Sequence, residues 1–192
     1  MKNFKLYLLL LAAALPLAAC GGNKVVAGPI ANNAPEWVNK GSGAFADGGV
    51  SAFYGVGVVQ NVRDKALAME AADTRARAAV AKTLDSYISA LTKSYQASTS
   101  AGDPAKISEE QNITSTMKAL TDISLRGAVI VDRWQDPTDK TMYALARLDL
   151  EKFKAALDQA NQLDAKVRDF VRANSDKAFT DLDAAVKAKT GN

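Results

Sequence analysis

Residues 51–60 read SAFYGVGVVQ, an aromatic and β-branched run of strand length. Asx-type cap candidates follow at 61–64, and the spacing then predicts one long helix ending near Tyr95. Its stripe takes Leu67, Ala71, Thr74, Ala78, Ala81, Leu84, Ile88, Leu91 and Tyr95 at steps of three and four. At 1.5 Å rise per residue the helix spans about 45 Å. Alanines dominate its first half, so a second layer can approach closely there, and bulkier groups fill the rest. Residues 98–104 (STSAGDP) stop it. Ser108, with Gln111 three residues on, forms a capping box for a second helix whose stripe is Ile113, Met117 and Leu120.

Two further strands are predicted, LRGAVIVDRW over 125–134 and MYALARLDL over 142–150, joined by QDPTDK as a hairpin loop. Alternation in the second places Met142, Ala144, Ala146 and Leu148 on one face and Tyr143, Leu145 and Arg147 on the other. Asp149 caps a final helical region with stripe Leu150, Phe153, Leu157, Ala160, Leu163, Val167, Phe170 or Val171, Ala178, Leu182 and Val186. Residues 174–176 (NSD) are placed to restart or kink it.

The order β-α-α-β-β-α predicts an α+β fold, a small and mainly antiparallel sheet packed against a long helix, with a long C-terminal helical extension. The expected division is a leader at 1–19, a flexible linker at 20–50, the α+β domain at 51–160 and the helical extension at 161–192. That extension carries an apolar stripe which must be buried, by folding back or by packing on another subunit. No internal repeat of useful length occurs.

The first twenty residues have a different pattern. Lys2 and Lys5 form a short basic region, residues 6–15 are apolar, and Leu17-Ala18-Ala19-Cys20 closes the run. The stretch is too short for a transmembrane helix, which needs about 20 apolar residues, and suits a cleaved secretory signal. Pro16 breaks a helix where cleavage is expected. Leu-Ala-Ala-Cys matches the bacterial lipobox, so Cys20, the only cysteine, is the expected lipidation residue. Each buried methylene adds about 0.8 kcal/mol, so two or three acyl chains hold firmly where one does not. Gly21 stands where inner-membrane lipoproteins of Gram-negative bacteria carry Asp; by that likeness the expected place is the periplasmic face of the outer membrane.

Composition narrows the chemistry. Histidine is absent, which removes Ser-His-Asp and Cys-His nucleophile systems and most catalytic zinc sites. Once Lys2 and Lys5 are cleaved away, 22 basic side chains face 21 acids, with no basic stripe for nucleic acid. No catalytic, cofactor or metal residues are expected, and the role expected is not enzymatic.

Several motifs invite sharper readings. Tyr54-Gly55-Val56-Gly57 before a helix resembles a phosphate loop, but it lacks the third glycine, so close packing or a bulge is expected. Asp132, Asp136 and Asp139 surround the hairpin at irregular spacing broken by Pro137, which suits turn formation rather than calcium. On the long helix, Glu70 and Asp73 are spaced to pair with Arg77 on a solvated surface. Residues 73–80 (DTRARAAV) resemble a wall-binding helix, yet the upstream Thr-Asp-x-x-Gly element of those domains is missing. Trp37 is expected to be the first residue packed on the domain.

Taken together, Cys20, Trp37-Val38, the Tyr54–Gly57 strand, the Ala- and Arg-rich helix from Ala66, the run Val129-Ile130-Val131-Asp132-Arg133-Trp134 and the run 143–149 (YALARLD) occur in an order that resembles the Lpp-twenty family of small bacterial outer-membrane lipoproteins, which includes flagellar basal-disk lipoproteins of the FlgP type. The likeness covers roughly residues 35–160 and stops short of the last helix. It implies an α+β domain, an outer-membrane location and no known catalysis, with assembly into envelope or motility-associated rings for some members. The expected partners are therefore the membrane, through lipid on Cys20, and copies of this chain or another envelope protein. A periplasmic adaptor that regulates an envelope or wall-synthesis enzyme is the alternative.

Overall fold

The computed structural model describes residues 33–99, 124–159 and 165–190. The leader, Cys20 and the helix predicted from Ser108 lie outside the described residues. In chain order the elements are α1 (Glu36–Lys40), β1 (Gly43–Asp47), β2 (Val50–Val59), α2 (Lys65–Thr99), β3 (Val129–Gln135), β4 (Met142–Asp149), α3 (Leu150–Gln159) and α4 (Ala165–Thr190).

The fold is α+β as the periodicity predicts. The four strands form one antiparallel sheet in the order β1-β2-β4-β3, packed with the helices. Sequence reasoning places residues 20–50 in a linker, but α1 and β1 belong to the folded domain. GAFAD is too short and too glycine-flanked to stand out. It becomes a strand by pairing with β2, from Gly43 opposite Tyr54 to Asp47 opposite Val50. The two-residue turn between them needs left-handed backbone, and Gly48 and Gly49 supply it with φ of 59° and 86°.

Asp64 caps α2, its Oδ1 accepting the Leu67 amide at 3.0 Å. The buried stripe runs Ala68, Ala72, Ala76, Val80, Leu84, Tyr87, Ile88 and Leu91. Its second half agrees with the periodicity. The first half is turned by about one residue, and Leu67, expected inside, is 56% exposed. The cause lies in β2. A Cβ on Gly57 would sit 2.0 Å from the Ala72 carbonyl oxygen, and one on Gly55 would sit 2.2 Å from that of Ala76. Helix backbone therefore rests directly on strand backbone, and a ridge of alanines four apart is the ridge that fits. With alanine on neighbouring stripes, periodicity has no bulky residue to choose by. The glycines serve close packing, as expected of them.

The C-terminal helices cover the rest of this sheet face. Leu150, Phe153, Ala156 and Leu157 of α3 and Val167, Val171 and Phe179 of α4 are buried in the same core. Phe53, Tyr87, Phe153 and Phe179 meet edge to face, with Phe53 centred 5.0 Å from Tyr87 and 5.3 Å from Phe179. Hence α4 folds back and completes the domain rather than extending from it. Residues 174–176 lie inside a continuous helix, and Ser175 is fully buried. Its hydroxyl donates to the Val171 carbonyl, and its own carbonyl accepts the Tyr87 hydroxyl at 3.1 Å. Lys154 bridges Glu151 at 2.9 Å and Asp176 at 2.7 Å, joining α3 to α4.

Candidate functional site

Cys20, the one site residue the sequence singles out, lies outside the described residues. Within them, the second face of the sheet, turned away from α2, is the feature that a plain two-layer fold does not explain. The register puts Phe45 and Asp47 of β1, Tyr54, Val56 and Val58 of β2, Tyr143, Leu145, Arg147 and Asp149 of β4, and Asp132 and Trp134 of β3 on that face. An antiparallel sheet with one wet face alternates apolar and polar residues, whereas strands apolar on both sides are normally covered on both. Here Phe45, Ala52, Tyr54 and Leu145 form a second buried cluster, joined by Trp37, Val56 and Val186.

Helix α1 partly covers this face. Pro35 precedes it, and Val38 is its buried residue. The Trp37 indole N–H donates to Asp132 Oδ2 at 2.8 Å, across 95 residues of chain. Lys40 lies 3.6 Å from Asp47 and 4.8 Å from the centre of the Phe45 ring. Arg147 sits over Tyr54, and its Nε is 2.6 Å from Asp149 Oδ1, close but poorly aligned for a hydrogen bond. Burial raises the Tyr54 pKa above the usual phenol value, and its bond to Asp47 adds to the effect.

Between α1 and the sheet opens a cleft of about 340 Å³, lined by Trp37, Phe45, Tyr54, Val131 and Leu145 together with two acids, Glu36 and Asp47, and two cations, Lys40 and Arg147. A register shift between Ile130 and Asp132 marks a bulge at Val131. Val129 and Val131 remain 44% and 46% exposed. The arrangement can hold an apolar side chain or segment.

A second, larger cleft of about 520 Å³ lies where β2 runs into α2, lined by Asn61, Val62, Arg63, Lys65, Gln135, Asp139 and Lys140. The charges that the sequence placed around the hairpin take structural parts. Asp136 Oδ1 accepts the Thr138 amide at 2.7 Å and Asp139 Oδ1 the Thr141 amide at 2.8 Å, so both shape the turn. The bonds to Thr141 hold the Asp139 carboxyl below its ordinary pKa. Asp132 does something else, latching Trp37. An acid inside the apolar run VIVDRW was the available signal, but its partner 95 residues away was not legible.

On α2, Asp73 turns to the sheet instead of to Arg77. Its two oxygens accept from Arg133 Nε and Nη2 at 2.7 and 2.6 Å, and this bond raises the Arg133 pKa. Arg75 donates to the Val58 carbonyl, so both side chains pin the first half of the helix to the strands. Among the described residues no group of three or more His, Cys, Asp or Glu is placed to hold a metal ion, and no helix is long and apolar enough to cross a membrane. No family model matches the chain, and no curated protein matches it.

Proposed function

We propose that this protein is a lipid-anchored lipoprotein of the bacterial envelope, held on the periplasmic face of the outer membrane through Cys20, with a structural role in which it assembles with copies of itself or with another envelope protein. The sequence Leu17-Ala18-Ala19-Cys20, after a short basic and apolar leader, carries this reading. Twelve residues, 21–32, separate the cysteine from the first described residue, Asn33, and span about 45 Å at most. The tethered body is a small α+β domain whose second sheet face offers a partner an apolar surface. Motility-associated assemblies are the setting that the family resemblance suggests.

A palmitate label on the wild-type chain and its loss in Cys20→Ser, together with release of Cys20→Ser from envelope fractions, are the expected results. A Cys20→Ser chain still processed and still firmly bound would end the proposal. The alternative reading is a monomeric adaptor reaching a wall-synthesis enzyme, and in-cell crosslinking separates the two. Assembly gives a ladder of self-adducts, whereas an adaptor gives one heterologous adduct.

A further inference from the structure

We infer that the cleft where β2 runs into α2 is a binding site for a phosphate monoester, whose dianionic phosphate is held by Arg63, Lys65 and Lys140. The site shares no lining residue with the cleft under α1 and does not depend on lipid at Cys20.

The charges of the cleft are unbalanced. Arg63, Lys65 and Lys140 line it against one acid, Asp139, which leaves a net charge of +2. That acid is already engaged, its Oδ1 accepting the Thr141 amide at 2.8 Å. Elsewhere Arg133, Arg147, Lys154 and Arg172 each stand against a carboxylate. Among the described residues none lies within ion-pair distance of Arg63 or Lys65. Asp64, between them in sequence, turns its Oδ1 to the Leu67 amide at 3.0 Å. With α2 capped in this way, attraction for an anion comes from the side chains rather than from the helix end. Cations gathered from two distant segments repel one another, and an anion between them removes that cost.

The backbone singles out the same place. Asn61 and Lys140 are the two non-glycine residues with left-handed backbone among those described, with φ of 61° and 62°, and both line this cleft. Asparagine tolerates that conformation, but a lysine in it is strained where glycine would not be. The Lys140 ammonium donates to the Pro137 carbonyl at 2.8 Å, which uses one of its three N–H donors and leaves two. Gln135 donates to the Lys140 carbonyl at 3.2 Å and so steadies the strained residue.

Size and donor set name the ligand class. A volume of about 520 Å³ falls among small-molecule sites, which span about 300–1,000 Å³. A phosphate monoester carries close to two negative charges at neutral pH on three strong acceptor oxygens, which matches both the net charge and the number of cations. The carboxamides of Asn61 and Gln135 suit hydroxyls beside the phosphate, as in glycerol and sugar phosphates. The same chemistry occurs in a free small molecule and in the headgroup of phosphatidic acid.

Residues 20–192 carrying Cys20→Ser, which removes any lipid anchor, are titrated with glycerol 3-phosphate and followed by amide NMR. The same chain is floated with phosphatidylcholine vesicles, with and without phosphatidic acid. Saturable shifts at residues 61–65 and 135–140 assign a free small molecule, and flotation that requires phosphatidic acid assigns a lipid headgroup. Succinate, a dianion without phosphate, is expected to bind at least about tenfold more weakly. Arg63→Gln with Lys65→Gln is expected to weaken binding at least about tenfold. Lys140→Gly should weaken it by a similar factor without lowering the melting temperature, because glycine relieves the left-handed strain. No saturable response to either probe overturns the inference. So does a succinate response as strong as that to phosphate, or binding that survives the double variant, since each marks ordinary surface charge. Acylation of Cys20 in the wild-type chain is a separate result, so failure here leaves the anchoring proposal standing.

Discussion

Gly57 has no room for a methyl group, because the Ala72 carbonyl oxygen already occupies the place at 2.0 Å from where a Cβ would lie. Gly57→Ala must push α2 off the sheet, and a loss of about 3 kcal/mol in denaturant unfolding is expected. Tyr87→Phe tests a different economy. It keeps the ring among Phe53 and Phe153 but leaves the Ser175 carbonyl without the hydroxyl that now reaches it at 3.1 Å. A cost of about 1–2 kcal/mol at neutral pH follows, again read from denaturant midpoints. Both residues were visible in the sequence as a glycine and a tyrosine on their elements. Their partners were not, because each contact joins segments far apart in the chain.

Among the elements, α4 shows most clearly how burial decides a boundary. As a sequence it is an amphipathic helix left over after a complete-looking domain. In the structure Val171 and Phe179 are core residues, and Phe179 was absent from the predicted stripe. A stripe four residues apart, Val167, Val171, Ser175, Phe179 and Asp183, includes two polar positions that hydropathy rejects. The buried hydroxyl of Ser175 bonds back to the preceding turn, and Asp183 is paired with Lys187 at 2.8 Å. Phe179→Ala is therefore expected to cost about 3–4 kcal/mol in the thermal or denaturant unfolding of the whole domain, since a surface extension would lose almost nothing. The contact between α2 and β3 is smaller. Asp73→Ala removes an ion pair whose arginine is 40% exposed, and a loss of no more than about 1 kcal/mol is expected by the same measurement.

For the molecule as a whole, pH response follows from the buried phenol. Burial drives the Tyr87 pKa well above 10.0, although the bond to Ser175 works the other way. The folded state thus holds its proton more tightly than the unfolded chain. That contribution is complete below the unfolded pKa near 10 and is lost as pH rises above it, when only the unfolded chain ionises. Alkaline unfolding is expected to begin near pH 10, and Tyr87→Phe should be less sensitive to pH there despite its lower stability at neutral pH. Circular dichroism followed from neutral to alkaline pH checks both statements.

What the sequence determined by itself is what depends on neighbours a few residues apart: the α+β class, β2 and β4, the length of α2 and the two-faced alternation in β4. The expectation at Cys20 is local in the same sense. Tertiary structure alone decided which alanines of α2 face inward, that GAFAD is a strand, that α4 belongs to the core, and that Asp132 holds Trp37 and Asp73 holds Arg133. Each of these is set by a partner from a distant segment; for the alanines, GAFAD and α4 the free energy of burial is many times larger than the local preference it overrides, while the two polar contacts follow from the register that burial fixes.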